Sequence, residues 1–209
     1  LVTNVGPFEE MKLRLLNGAH SSLAYLGYLA GYETVADAMS NPALAVFVAR
    51  LMHEEVTPTL KVPPSTDVAA YKASLLERFH NPALRHRTWQ IAMDGSQKLP
   101  QRLLGTVRDR LAKGDDIACL SLGIAAWMRY VTGLDENGAA IDVRDPLRDD
   151  LRKRADAAGL DASRLAPALL SIESIFGRDL VQNPAFTNAV TSSLDSLIRY
   201  GARETLERF

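Results

Sequence analysis

Residues 11–31 read MKLRLLNGAHSSLAYLGYLAG, and this stretch decides the fold class. Apolar residues recur at intervals of three and four, which is the spacing of one face of an α-helix, at Met11, Leu15, Leu16, Ala19, Leu23 and Leu26. The longest continuous apolar run within it, residues 23–30, is far shorter than the ~20 apolar residues that a membrane-spanning helix needs. The small residues Gly27 and Gly31 favour the close approach of a neighbouring helix. The stretch therefore predicts a buried helix that is packed tightly on both sides.

Helical signals continue through the rest of the chain. Capping residues, several followed by proline, predict helix starts at Asn41-Pro42, Asp67, Asn81-Pro82, Asp145-Pro146, Asp161 and Asn183-Pro184. The periodicity predicts further helices over 99–111 and over 117–131, the second of them capped by Asp115 or Asp116. Residues 133–142 have the composition of an exposed loop. The sequence thus predicts an all-α fold of about nine helices, and one domain over residues 1–209.

Composition excludes several classes of function. The 209 residues carry 24 Lys and Arg against 25 Asp and Glu, a net charge of −1, which argues against a nucleic-acid backbone or a polybasic membrane anchor as partner. The single cysteine, Cys119, excludes an internal disulfide, and its apolar neighbours predict a buried, unreactive thiol. We expect a cytoplasmic protein without a signal peptide. Since the chain begins at Leu1 without a methionine, we expect either that a leader has been removed or that the chain is part of a longer protein.

Three polar residues interrupt the apolar helix at Lys12, Asn17 and His20. In α-helical geometry Asn17 lies ~140° and His20 ~80° around the axis from Lys12, along ~12 Å of helix. A lysine, an amide and an imidazole suit proton transfer at an alcohol or carbonyl and stabilisation of the oxyanion. The alternative is structural: a surface ion pair between Glu9 and Lys12, and a packed histidine.

A second candidate segment, residues 85–102, reads RHRTWQIAMDGSQKLPQR. Its glycine break is followed by a helix start that carries Ser96 and Lys98, a combination that can hold an anionic group of a substrate. The alternative is an ordinary corner between two helices. Arg85 and Arg87, on either side of His86, predict a solvent-exposed face.

A metal site is not expected. The tripeptide at residues 53–55, His-Glu-Glu, lacks a second histidine four residues away, as a helical zinc site requires.

Residues 2–20, VTNVGPFEEMKLRLLNGAH, resemble the start of the C-terminal domain in the mannitol dehydrogenase family of long-chain, metal-independent polyol and hexuronate dehydrogenases. The family pattern is a lysine, an asparagine five residues on and a histidine three further on, as at Lys12, Asn17 and His20. Residues 94–98, DGSQK, resemble the second substrate-contacting segment of the family. The resemblance extends through the whole chain. It implies a multi-helix substrate domain like that of the 6-phosphogluconate dehydrogenase-like long-chain enzymes, preceded by an N-terminal Rossmann domain that lies outside this chain and binds NAD(H).

The resemblance also implies roles for the residues. Lys12 would be the general base in alcohol oxidation and the general acid in ketone reduction. Asn17 would help to stabilise the oxyanion, and His20 would orient a substrate hydroxyl or the reacting oxygen. Lys98 would contact the distal part of a small sugar-acid or polyol substrate. No zinc would be needed, because the lysine takes the place of the Lewis acid.

One position departs from the mannitol-specific pattern. Mannitol dehydrogenases carry an arginine eight residues before the later lysine, and here that position is Gln90. Residues 88–98 resemble the fructuronate reductase branch of the family instead, which implies a hexuronate or aldonate substrate. Either Lys98 or Arg102 would supply the cation for its carboxylate. The alternatives are a mannitol 2-dehydrogenase or related polyol dehydrogenase, and a helical interaction module without catalytic activity.

Overall fold

The computed structural model describes residues 6–209 and confirms the all-α fold class, since 75% of the residues are helical. Within the described range the only β-type pairing is two isolated bridges, Thr34 with Arg87 and Leu134 with Ala140. The α-helices are α1 Gly6–Met11, α2 Ala19–Leu29, α3 Val35–Met39, α4 Pro42–Arg50, α5 Val68–His80, α6 Thr88–Ala92, α7 Gly95–Leu99, α8 Gly105–Leu111, α9 Ala118–Tyr130, α10 Arg148–Ala158, α11 Ala162–Leu170, α12 Glu173–Val181 and α13 Pro184–Arg208.

Three π-helical segments continue α-helices without a break; the first and third lead into another α-helix, and the second leads into a 3₁₀ turn. They span Lys12–Gly18, Leu51–Val56 and Pro100–Leu104, and we call them the first, second and third π segments. Short 3₁₀ turns cover Thr57–Thr59 and Pro82–Leu84. None of the described helices is long and apolar enough to cross a membrane. The sequence predicted fewer helices than the structure contains, because a regular 3.6-residue period hides these local changes of hydrogen bonding.

The core is centred on α2 and α9, which pack against each other and against α13. All of α9 beyond its first residue is buried, and α2 is buried except at His20 and Tyr28. A Cβ on Gly27 would lie 3.0 Å from the Ala38 Cβ and 3.3 Å from the Thr88 Cγ2. The close packing predicted around this glycine is therefore confirmed, with α3 and α6 as the neighbours.

Most of the predicted helix starts are confirmed by their capping bonds. The side chains of Asn41, Asp67, Asp161 and Asn183 each accept a hydrogen bond from a backbone N–H in the first turn that follows. The prediction at Asn81 was wrong in extent, because the chain makes only a single 3₁₀ turn before Arg85 turns left-handed with a φ of 43°.

The predicted cap of α9 was also wrong. Neither Asp115 nor Asp116 accepts a bond from the first turn inside the helix; instead the buried Glu55 carboxylate accepts from the backbone N–H groups of Cys119, at 2.5 Å, and Leu120, at 2.9 Å. Burial raises the pKa of the Cys119 thiol, with the adjacent Glu55 carboxylate adding to the shift. The expectation of a buried thiol is confirmed.

Candidate active site

The first π segment carries two of the predicted site residues, Lys12 and Asn17. Hydrogen bonds from residue i to i+5 widen the turn, so residues five apart lie closer together around the axis than the ~140° that separates them in an α-helix. The wide turn brings the lysine and the amide to one side, and α2 then begins at Ala19 and presents His20. Residues 2–5, which the sequence pattern also includes, lie outside the described residues.

Lys12 is exposed, and Asn17 is half-buried. Neither side chain has a hydrogen-bond or ion-pair partner among residues 6–209. The ion pair between Glu9 and Lys12, which was the structural alternative for this lysine, does not form. Glu10 instead forms an ion pair with Arg14, at 2.6 Å. The lysine ammonium and the asparagine amide are therefore free to bind a ligand.

His20 is half-buried and lies among aromatic and cationic groups. Its ring stacks on Phe79, with the centroids 5.2 Å apart and the planes 12° from parallel, and lies 5.6 Å from the ring of His86. Its Nε2 is buried without a hydrogen-bond partner. Burial, followed by the charges of His86 and Arg102, lowers the pKa of His20 to about 4. The imidazole is consequently neutral at pH 7, and its buried nitrogen can form a hydrogen bond with a ligand atom or a water molecule that reaches it.

Lys98 and Arg102 approach His20 from α7 and the third π segment, and both add to the lowering of its pKa. The Lys98 ammonium donates to the carbonyl of Ile91 at 3.4 Å and lies 3.9 Å from an Asp94 carboxylate oxygen. The Arg102 guanidinium donates to the hydroxyl of Ser21 at 2.9 Å, directly beside His20 in the chain. Burial is the main cause that lowers the pKa of both cations.

The helix start at Ser96 is not an open anion site. Its backbone N–H donates to one Asp145 carboxylate oxygen at 2.8 Å, and its hydroxyl donates to the other at 2.6 Å. The Asp145 carboxylate thus occupies the position at which the sequence predicted an anionic group of the substrate. The Asp145 Oδ1 that accepts from the Ser96 hydroxyl also accepts from the backbone N–H of Leu147 at 2.9 Å, directly before α10 begins at Arg148.

Gln90 is exposed on the short helix α6 and has no hydrogen-bond partner in the described part of the chain. The structure does not join it to the cluster around His20 by any direct bond. Its connection is through the backbone, since the carbonyl of the next residue, Ile91, accepts from Lys98.

Sequence reasoning missed two members of this site, Phe79 and His86. The prediction of an exposed face holds for Arg85 and Arg87 but was wrong for His86, which is half-buried against His20. Arg85 is left-handed, and the bridge between Thr34 and Arg87 fixes the chain on the other side of His86, so the backbone on either side of this residue turns its ring towards His20. No signal of helical spacing could have indicated this contact.

No group of three or more possible metal ligands occurs among residues 6–209. His53 instead lies against the buried Lys72, whose ammonium is 2.9 Å from the His53 Nδ1, and Glu55 caps α9. The structure thus places Lys12 and Asn17 on the first π segment and His20 at the start of α2, with Lys98 and Arg102 close enough to His20 to lower its pKa.

The sequence matches the family model described as the mannitol dehydrogenase C-terminal domain over residues 4–198. It is 55% identical over 204 residues to the D-mannonate oxidoreductase of Escherichia coli K12, covering 97% of this chain and 41% of that protein. A mannitol 2-dehydrogenase of Aspergillus fumigatus is 38% identical over 205 residues, with 98% of this chain and 40% of that protein covered.

Among solved structures, the Pseudomonas fluorescens mannitol 2-dehydrogenase in ternary complex with NAD and D-mannitol superimposes with a TM-score of 0.93 at 34% identity. The match covers 99% of this chain and 41% of that one. The chain spans about two fifths of the length of the curated relatives that it matches. Because the family model covers nearly all of the sequence, the chain belongs to the family of mannitol dehydrogenase C-terminal domains.

Proposed function

We propose that the full-length protein is an NAD-dependent, metal-independent oxidoreductase that interconverts a secondary alcohol of a sugar acid or polyol with its ketone, with fructuronate and mannonate as the favoured pair. This chain is its substrate domain, and a Rossmann domain outside it is its partner. A cytoplasmic location is part of the proposal, since NAD(H) is an intracellular cofactor. The observation that carries the proposal is an exposed Lys12 and a half-buried Asn17 on the same π segment, both without a partner among residues 6–209, followed by the neutral imidazole of His20.

The described residues fit the substrate side of such a reaction. The buried Nε2 of His20 lacks a partner, and a substrate hydroxyl or carbonyl oxygen would supply one. NAD(H), bound by the Rossmann domain, would supply the hydride acceptor for oxidation and the hydride donor for reduction. Lys12, in its amine form, takes the proton of the hydroxyl during oxidation and gives it back during reduction. The Asn17 amide donates to the oxygen while negative charge develops on it, and His20 fixes the orientation of that oxygen.

Mannitol is the alternative substrate. It is favoured by the close superposition on the mannitol 2-dehydrogenase that was solved with D-mannitol. Two observations favour a sugar acid over it: the 55% identity to a D-mannonate oxidoreductase, and an uncharged Gln90 at the position where the mannitol-specific pattern has an arginine.

The deciding experiment is an assay of the full-length protein with NADH against fructuronate, tagaturonate and fructose. We expect turnover of fructuronate to exceed turnover of the neutral ketose fructose. Activity on fructose alone would exclude the sugar-acid assignment, and no oxidation of NADH with any ketose or ketouronate would exclude the dehydrogenase assignment altogether.

A further inference from the structure

We infer that Arg102 binds the carboxylate of the sugar-acid substrate and so determines the preference for acids over neutral sugars. The inference rests on the proposed function. From the sequence, either Lys98 or Arg102 could bind the substrate carboxylate. The structure distinguishes the two residues by the partners that each already has.

The site around His20 has an excess of positive charge. The pKa of His20 is lowered by three nearby cations, Arg78, Lys98 and Arg102, and no carboxylate raises it. Neither Arg78 nor Arg102 has a carboxylate within 4.0 Å among residues 6–209. Elsewhere arginines have close partners, as in the bidentate pair between Arg108 and Asp179, at 2.6 Å and 3.1 Å. Partly desolvated cations without a counter-ion favour the binding of an anion.

Lys98 is already partly neutralised. Its ammonium donates to the Ile91 carbonyl at 3.4 Å and lies 3.9 Å from the Asp94 carboxylate. The charge of Asp94, together with that of Asp145, opposes the lowering of the Lys98 pKa. A substrate carboxylate would have to approach Lys98 against the repulsion of these two acids.

Arg102 has no such competitor. A single hydrogen bond, from its Nη1 to the Ser21 hydroxyl, anchors the guanidinium and uses one of its five N–H donors. The remaining donors form the planar fork that matches the two oxygens of a carboxylate. An anchored arginine also loses little rotamer freedom when the ligand binds, so the site is preorganised.

The backbone holds this side chain beside the proposed catalytic residues. The third π segment packs on the first, where the Arg102 carbonyl meets Gly18, and Ser21 directly follows His20. One end of a sugar acid can therefore bind at Arg102 while a hydroxyl further along reaches His20 and Lys12.

The test compares charged and neutral substrates in the full-length enzyme with NADH. Replacing Arg102→Gln keeps a donor for Ser21 but removes the charge and the fork. We expect kcat/KM for fructuronate to fall about 10-fold to 100-fold, the range of one lost charge-assisted hydrogen bond. We expect kcat/KM for fructose to change less than threefold. Ser21→Ala, which frees the guanidinium without removing it, should raise KM for fructuronate with little effect on kcat.

Arg85→Gln is the matched control, because it removes an exposed, unpaired positive charge near the same site. An equal loss on both substrates in Arg102→Gln, or the same selective loss in Arg85→Gln or Arg78→Gln, would refute the inference. Should Arg102→Gln fail to fold, unchanged kinetics in Ser21→Ala would refute it. A wild-type enzyme that oxidises no NADH with either substrate would refute the proposed function instead.

Discussion

Gly18 and Arg102 approach each other so closely that no side chain fits between them. A Cβ on Gly18 would lie 2.7 Å from the carbonyl oxygen of Arg102, and 3.5 Å from a methyl group of Leu103. This contact holds the first π segment against the third. It therefore sets the spacing between Lys12 and Asn17 on one side and Arg102 on the other.

Replacing Gly18→Ala should force the two π segments apart, because a backbone carbonyl cannot rotate away as a side chain can. We expect the full-length protein to lose about 1–3 kcal/mol of stability, the usual cost of overpacking, with a raised KM for its substrate. Gly105→Ala is the control, since its Cβ would meet only the Arg14 Nη2 at an ordinary 3.6 Å. Alanine is the better helix former, so thermal unfolding should show Gly105→Ala unchanged or slightly stabilised. Equal melting temperatures for the two variants would contradict this account.

Replacing Lys12→Ala in the full-length enzyme should lower kcat by about 100-fold to 10,000-fold, the contribution of a positioned general acid or base. The fold should be unaffected, because the side chain is exposed and has no partner among residues 6–209. Lys153→Ala, which removes an exposed lysine from α10, should leave kcat unchanged. Turnover by Lys12→Ala within tenfold of the wild type at neutral pH would exclude a proton-transfer role.

The lowered pKa of His20 makes stability depend on pH. Between its ordinary value of 6.5 and its folded value of about 4, the unfolded chain binds a proton at this site that the folded chain does not. The free energy of unfolding therefore decreases as the pH falls through this window. The loss attributable to His20 should reach about 2 kcal/mol between pH 6.5 and pH 5.

Thermal unfolding of the full-length protein at pH 7 and pH 5 measures this effect. The His20→Gln variant should show a smaller drop in melting temperature between the two values than the wild type. His80→Gln, on the exposed face of α5, should behave like the wild type. An unchanged pH dependence in His20→Gln would show that the imidazole is not held neutral in the folded state.

Glu55 should matter far more for stability than its neighbour Glu54. The Glu55 carboxylate accepts from two backbone N–H groups at the start of the central helix α9, whereas Glu54 makes only an exposed ion pair with Arg50 at 3.4 Å. Glu55→Gln should cost about 1–2 kcal/mol, as the loss of a charged helix cap does. Glu54→Gln should cost less than about 0.5 kcal/mol. Similar losses in denaturant unfolding of the two variants would contradict the capping role.

Much of this domain could be predicted from local patterns. The helical period of residues 11–26 and the caps at Asn41, Asp67 and Asn183 depend only on neighbouring residues, and the structure confirms the helices that they begin. The spacing of Lys12, Asn17 and His20 predicted that three reactive groups share one region of the chain. Their roles stay predictions, since they depend on a bound substrate.

Other features were decided only by contacts between distant parts of the chain. The sequence placed Asp145 at the start of its own helix, and its Oδ1 does accept from the Leu147 N–H there. Only the fold brings the same carboxylate to Ser96, where it fills a position that local reasoning assigned to a substrate. At α9 the fold places the Glu55 carboxylate on the first turn in place of the two local candidates. A buried N–H donates to the carboxylate that tertiary packing places next to it, whatever acids are near in sequence.

Local sequence thus determined the helices and the residue types of the site. Only the tertiary structure decided that His20 stacks on Phe79, and that within residues 6–209 its Nε2 has no hydrogen-bond partner and Arg102 has no carboxylate within 4.0 Å. Hydrogen bonding within one turn is a short-range property and can be predicted from sequence spacing. Burial and net charge at a site are sums over elements far apart in the chain, so they appear only when the helices have packed.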